Sequence, residues 1–194
     1  MRKKLIACFL LLCLLCGCAA EDSDAMQSAL RLRGTLLARG GCSFCASVTA
    51  DWGDTVDSFD FDCVYGETGL CLTVTAPETL AGICASVCSD QKASIRFDDT
   101  ELALELLGGR LSPLASPLIF CQAWAQDYLA LAGREKDLLR ITAIHGYDEQ
   151  ELYVDTWLDD GGIPLHCEIS IDGKTVIFAD ISNFRWIEDK NENS

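Results

Sequence analysis

The stretch CSFCASVTADWGDTVDSFDFDCVY, residues 42–65, decides the fold because hydrophobic residues recur in it at every second position. A period of two is typical of a β-strand with one buried face, and the Gly53-Asp54 pair in the middle favours a turn. We therefore predict a long two-stranded hairpin with one apolar and one polar face. The apolar positions are Phe44, Ala46, Val48, Ala50 and Trp52 before the turn, and Phe59, Phe61, Cys63 and Tyr65 after it.

Alternation of the same kind continues in eight more segments, which begin at Leu70, Gly82, Ala93, Glu101, Leu138, Glu151, Pro164 and Lys174. The links between consecutive strands are short, and short links require antiparallel neighbours because parallel strands need a crossover of about a dozen residues. Apolar stripes predict two helices, at about 24–39 and 116–132. The predicted fold class is α+β: a strongly curved antiparallel sheet of about ten strands, a half-barrel, covered by two helices.

The N-terminus carries three cationic residues followed by an apolar run, Leu5 to Cys16. Such a run has the length of a signal-peptide core and is shorter than the ~20 residues of a transmembrane helix. It ends in Leu15-Cys16-Gly17-Cys18, which resembles the bacterial lipobox. That resemblance implies that Cys18 receives a diacylglyceryl thioether and becomes the first residue of the mature chain. The alternative is an ordinary signal peptide cut after Ala19 or Ala20.

These features divide the chain into a removed signal peptide (1–17), a lipidated anchor with an acidic spacer (18–23), a single domain (24–187) and a disordered tail (188–194). Removing Arg2, Lys3 and Lys4 leaves 12 basic against 30 acidic residues, a formal charge of −18. Such a surface repels nucleic acid and anionic lipid headgroups. We expect attachment through the lipid anchor to the extracytoplasmic face of the cell membrane, and no nucleic-acid partner.

Eight cysteines remain in the domain, at positions 42, 45, 63, 71, 84, 88, 121 and 167. The turn at Gly53-Asp54 brings Cys42 close to the position opposite Cys63, which makes a disulfide between them our prediction. Cys42 and Cys45 also invite a zinc or redox interpretation, but residues i and i+3 of a strand face opposite ways. We expect no metal site.

We expect no catalytic residues and no cofactor, because neither His145 nor His166 belongs to a nucleophile, metal-protease or phosphate-binding motif. Several apolar residues could instead line a ligand cavity between sheet and helix, or fill it as core. These are Phe59, Phe61, Leu72, Val74, Phe120 and Trp124.

The order of elements is similar to that of the LolA-like lipoprotein-carrier superfamily. The resemblance rests on LCLTVTAPETLAGICA (70–85), RLSPLASPL (110–118) and GIPLHCEISIDGKTVIFADISNF (162–184), and it looks closest to germination-lipoprotein-related small lipoproteins of spore-forming anaerobes. It implies a non-enzymatic lipoprotein with a half-barrel cavity for an acyl chain or lipoprotein. The alternative is a structural, partner-binding envelope lipoprotein with a filled core, in sporulation or germination.

Replacing Cys18 by alanine removes the predicted acylation site. We expect the Cys18→Ala variant to leave the membrane fraction, because its attachment depends on the acyl chains. Membrane fractionation measures this, and a variant that stays membrane-bound would contradict the lipobox interpretation.

Overall fold

The structure is a computed structural model that describes residues 19–88, 92–97, 100–105, 111–146 and 151–187. The predicted anchor Cys18, the signal peptide and the tail 188–194 lie outside the described residues. The described part contains helices α1 (Ala19–Arg39) and α2 (Ser116–Ala125). It also contains strands β1 (Gly41–Asp51), β2 (Val56–Gly66), β3 (Gly69–Ala76), β4 (Cys84–Cys88), β5 (Lys92–Phe97), β6 (Thr100–Glu105), β7 (Tyr128–Glu135), β8 (Leu138–His145), β9 (Leu152–Leu158), β10 (Pro164–Ile171) and β11 (Lys174–Trp186).

The strands form a single antiparallel sheet in the order β6-β5-β4-β3-β2-β1-β11-β10-β9-β8-β7. Consecutive strands pair with each other throughout the sheet except β6 and β7, and β1 pairs with β11 in addition to β2. The first and last strands therefore lie side by side in the centre, and β6 and β7 occupy the two edges. The predicted α+β fold class, a curved antiparallel sheet of about ten strands with two helices, is confirmed.

The first hairpin forms with the predicted apolar face, in a register that places Cys42 opposite Tyr65, two residues from Cys63. Phe44 lies opposite Cys63 and Ala46 opposite Phe61, and these four side chains are buried. The face to which they belong is the one that the helices cover, and we call it the inner face. The opposite, outer face of the same strands carries Asp60 and other polar residues that are exposed.

Residues 126–132 differ from the prediction. The helix expected to continue to about residue 132 ends at Ala125, and Tyr128–Glu135 forms the edge strand β7. Leucine and alanine in this stretch favour a helix locally, but its backbone groups are paired with β8 in a ladder from Tyr128–Ile144 to Glu135–Leu138. The backbone hydrogen bonds of the whole ladder stabilise the strand by more than the small local preference for a helix.

Helix α1 begins at Ala19, five residues before the predicted start at Asp24. It ends at Arg39 before Gly40, as the glycine pair predicts, and Gly40 has the positive φ of 72° expected of a helix-terminating glycine. Its buried stripe consists of Ala25, Ala29, Leu32 and Leu36. None of the helices in the described residues has the length and hydropathy needed to span a bilayer.

The two helices cover different parts of the inner face. α1 packs against β1, β7, β8 and α2, whereas α2 packs against β2, β3, β8 and β9. Strands β4 and β5, towards one edge, do not pack extensively against either helix in the described part of the chain.

The first residue of β1, Gly41, has a backbone conformation and close neighbours that only a glycine tolerates. Its φ is 144°, and a Cβ atom placed on it would lie 2.0 Å from the carbonyl oxygen of Tyr65. We expect Gly41→Ala to lower the free energy of unfolding by at least about 2 kcal/mol, because β1 and β2 would have to separate at this point. Chemical denaturation measures the change.

The matched control is Gly34→Ala in α1, where an added Cβ has no atom within 4 Å. This substitution should stabilise the helix by up to about 1 kcal/mol, because alanine has the higher helix propensity. Equal effects of the two substitutions would contradict the close approach at Gly41.

Candidate functional site

Helix α2 lies in the interior of the protein, between the sheet and α1. Nine of its ten residues are buried, and only Gln122 is half-exposed. A helix that is apolar on all sides has no face for solvent and must be surrounded by protein. Its first turn is supported locally, since the Ser116 hydroxyl donates to the Pro113 carbonyl at 2.8 Å and Pro117 occupies a position in the first turn that suits proline.

The C-terminal end of α2 is held by Arg33 of α1. The Arg33 guanidinium donates hydrogen bonds to the carbonyl oxygens of Ala123 (3.1 Å), Trp124 (3.1 Å) and Asp127 (2.6 Å). The last carbonyls of a helix have no partner within the helix and carry partial negative charge, so a guanidinium satisfies several of them at once. Burial lowers the pKa of Arg33, and the nearby carboxylate of Asp127 opposes that shift.

Trp124 fixes the other side of the same helix end to the sheet. Its indole Nε1 donates to the Thr156 hydroxyl of β9 at 3.0 Å, where both groups are buried. Its ring packs edge-on against Phe44 of β1, with 5.5 Å between centroids, and against Phe184 of β11 at 6.2 Å. The helix is therefore held by polar and aromatic contacts to three strands that lie far apart in the sequence.

Five of the six residues named as candidate cavity lining lie in the closely packed part of the interior. Each is exposed by 1% or less, so each is in contact with protein atoms on all sides. We call them the sealed core: Phe61, Leu72, Val74, Phe120 and Trp124. The sixth, Phe59, is half-buried and stacks on Phe61 with 6.0 Å between ring centroids.

Phe59 belongs to a second group of residues, which borders the buried core. The members of this group are apolar, pack against the core and remain partly accessible to solvent. Ile83 precedes β4, Ile95 lies on β5, and Leu111 and Leu114 lie in the segment that leads into α2. We call this group the apolar rim: Phe59, Ile83, Ile95, Leu111 and Leu114.

The eight cysteines of the domain are unbonded; seven lie on strands, and Cys121 lies on α2. Cys71 and Cys88 are exposed and Cys45 and Cys84 half-exposed on the outer face, whereas Cys42, Cys63, Cys121 and Cys167 are buried. Burial raises the pKa of Cys63, and it raises the pKa of Cys167 to about 12. Cys42 lies opposite Tyr65, two residues from Cys63 along β2, and the predicted disulfide between Cys42 and Cys63 stays a prediction.

The two histidines lie in separate polar networks. His145 Nδ1 is 2.8 Å from Asp127 Oδ2, beside the end of α2. His166 lies on the other face, with Nδ1 2.8 Å from Asp180 and Nε2 3.3 Å from Glu168. Among the residues that the structure describes, neither network includes a serine or cysteine at hydrogen-bonding distance from the imidazole. Among the described residues, no group of three or more His, Cys, Asp or Glu side chains is arranged to hold a metal ion.

Sequence comparison does not place the chain in a family: no protein-family model matches it, and no curated protein matches it. The structure is similar to solved structures at low sequence identity. One is a LolA superfamily protein from Nitrosomonas europaea, with 12% identity, a TM-score of 0.47, and 88% of this chain and 95% of that chain covered. An uncharacterized conserved protein from Thermus thermophilus has 8% identity, a TM-score of 0.49, and coverage of 84% and 89%. The Mycobacterium tuberculosis lipoprotein LppX has 14% identity, a TM-score of 0.43, and coverage of 87% and 98%.

The contact of Arg33 with the end of α2 can be tested with a substitution that keeps the charge. Lysine cannot reproduce the fork of a guanidinium, so Arg33→Lys should leave two of the three carbonyls without this donor. We expect a loss of roughly 1–2 kcal/mol in the free energy of local opening of α2. Hydrogen exchange of the α2 amides measures it, with Arg31→Lys, at an exposed position of the same helix, as the control. Unchanged protection of α2 in the Arg33 variant would contradict the assigned role.

Proposed function

We propose that the protein is a non-enzymatic lipoprotein, anchored through Cys18 to the extracytoplasmic face of the cell membrane, that binds a hydrophobic ligand on the inner face of its sheet. The ligand is an acyl chain, either free or as part of a lipoprotein. It enters at the apolar rim and lies between the rim and the adjoining end of the sealed core. The mature chain is strongly acidic and repels anionic groups. Contact with the apolar part of the ligand therefore supplies the affinity.

The observation that carries this proposal is the unequal coverage of the inner face. On the side of β7–β9, both helices close the sheet, whereas on the side of β4 and β5 neither helix packs extensively in the described residues. Apolar residues remain there in a half-buried state, next to a packed core. Partly exposed apolar residues beside a packed core are a common lining of a site for an apolar ligand.

The side chains of the apolar rim favour a chain-like hydrocarbon as the ligand. Its side chains are aliphatic except for Phe59, and none of them carries a charge or a polar group that would orient a polar ligand. Each methylene group that a ligand buries there contributes about 0.8 kcal/mol, so a long acyl chain can bind through apolar contact alone.

The packed state of the sealed core supports a second candidate function. Because Phe61, Phe120 and Trp124 have almost no exposed surface, the protein could act with a filled interior as a structural lipoprotein that binds a partner at the cell envelope. A role in sporulation or germination would belong to this second candidate. The two candidates differ in whether the rim binds lipid or protein.

Binding at the rim can be tested by placing a polar side chain in it. We expect the Cys18→Ala protein to bind pyrene-labelled palmitate saturably and Ile83→Asn, made in that background, to bind about tenfold more weakly. Loss of part of the apolar contact with one aliphatic side chain lowers the binding free energy by about 1.4 kcal/mol, which is a factor of ten in Kd. A fluorescence titration measures both affinities.

Val64→Asn is the matched control, because Val64 is an exposed aliphatic residue on the outer face of β2. It should bind the labelled palmitate as the parent protein does. No saturable binding by the parent protein, or equal loss in both variants, would contradict a ligand site at the rim and favour the structural role.

A further inference from the structure

Strand β7 forms one edge of the sheet, and that edge is open. The strand pairs with β8 along one side. Along its other side, no backbone hydrogen bond joins it to another residue in the part of the chain that the structure describes. Five of its eight residues are exposed. An open row of backbone N–H and C=O groups is a template on which a further strand can add.

Two of the exposed residues of β7 carry large apolar side chains. Tyr128 is 62% exposed and Leu131 is 60% exposed. They lie opposite Ile144 and Thr142 of β8, which are outer-face positions because Ala143 between them is buried in the core. A single exposed leucine or tyrosine is ordinary, but these two adjoin an unpaired backbone. A strand that adds to this edge therefore shields apolar and backbone groups from water together.

Strand β7 has no net charge. Its charged residues, Arg134 and Glu135, are neighbours at its end and have opposite signs, and its first six residues carry no charge. The chain as a whole has 30 acidic against 15 basic residues, so copies of it repel one another over much of their surface. At the β7 edge this repulsion is reduced, because the strand that would pair is neutral.

Antiparallel pairing of two β7 strands matches their faces. In a register centred on Ala132, Leu131 lies opposite Gly133 of a second copy, and Tyr128 lies opposite Glu135 of that copy. These residues all belong to the outer face. A Cβ atom added to Gly133 would have no atom within 4 Å, so the leucine side chain meets open space there. The charged end of each strand lies beside the uncharged start of the other.

The irregularity of β7 between Leu129 and Leu131 fits the same register. Irregularities of this kind protect many edge strands from pairing, but this one lies to one side of the central residues 131–133. Beyond them, Leu129 and Ala130 together lie opposite Arg134 of the second copy. The faces of the two strands therefore stay matched along the whole of β7.

We propose that two copies of the protein associate through their β7 edges into a two-fold symmetric dimer with one continuous antiparallel sheet. The interface is isologous, because each strand offers the other the same groups. Its eight-residue strands are about 27 Å long, and an interface of this size gives a dimer that dissociates readily. The apolar rim lies towards β4 and β5, far from β7 in the sheet, so the dimer and the proposed ligand site are independent of each other.

Sedimentation equilibrium of the Cys18→Ala protein, from about 1 μM to about 100 μM, tests the dimer. We expect the weight-average mass to rise from one chain towards two, and hydrogen exchange of the β7 amides to slow over the same range. Leu131→Lys places a charge beside the seam and should raise the Kd of the dimer at least about tenfold. Val64→Lys, the same change at an exposed residue of β2, should leave the Kd unchanged.

A mass of one chain at every concentration would overturn the inference. A dimer that Leu131→Lys leaves intact, or one that forms without slower exchange in β7, would place the contact on another surface and overturn it as well. Circular dichroism shows whether both variants keep their fold, and if Leu131→Lys does not, the exchange of β7 in the parent protein decides. Titration with pyrene-labelled palmitate is a separate measurement, so a failure of ligand binding leaves the dimer unaffected.

Discussion

The crossing of the chain from one edge of the sheet to the other is the constraint on which the rest of this structure depends. β6 and β7 follow one another in the sequence but lie at opposite edges, and only residues 106–127 connect them. Eleven strands spaced about 4.8 Å apart would make a flat sheet about 48 Å wide. The ten residues of α2 advance about 15 Å and the remaining twelve reach about 40 Å when fully extended, so the connection spans a flat sheet only if it runs almost straight and almost fully extended. A curved sheet brings its edges closer together and so makes the crossing easier.

The crossing places α2 on the inner face, and further contacts hold it there. Because α2 is apolar on all sides, its position is stabilised by burial against sheet and α1, while Arg33 and Thr156 satisfy polar groups at its end. The helix is short, however, and cannot cover eleven strands. The inner face therefore has a sealed part below the helices and a half-buried part towards β4 and β5, and this difference is the basis of the proposed ligand site.

The alternation of apolar residues made most of the strands predictable, because a period of two is set by the pleat and survives in any tertiary context. Strand β7 could not be predicted this way, since Leu129, Leu131 and their alanine neighbours suit a helix equally well and only pairing with β8 decides. The role of Arg33 was equally hidden: its carbonyl partners lie about 90 positions later in the sequence, and no local pattern connects them. Residues such as Phe61 and Trp124 were predictable as inner-face residues, but their packing depends on volumes that periodicity does not contain.

The most direct test of this account is native mass spectrometry of the membrane-extracted protein, followed by solvent extraction and lipid analysis of the bound fraction. The account predicts one non-covalently bound acyl lipid per chain, in addition to the mass of the covalent anchor, and its loss when Ile83 is replaced by asparagine. A protein that carries its anchor alone, with no further lipid under conditions that preserve the fold, would contradict a ligand site on the inner face.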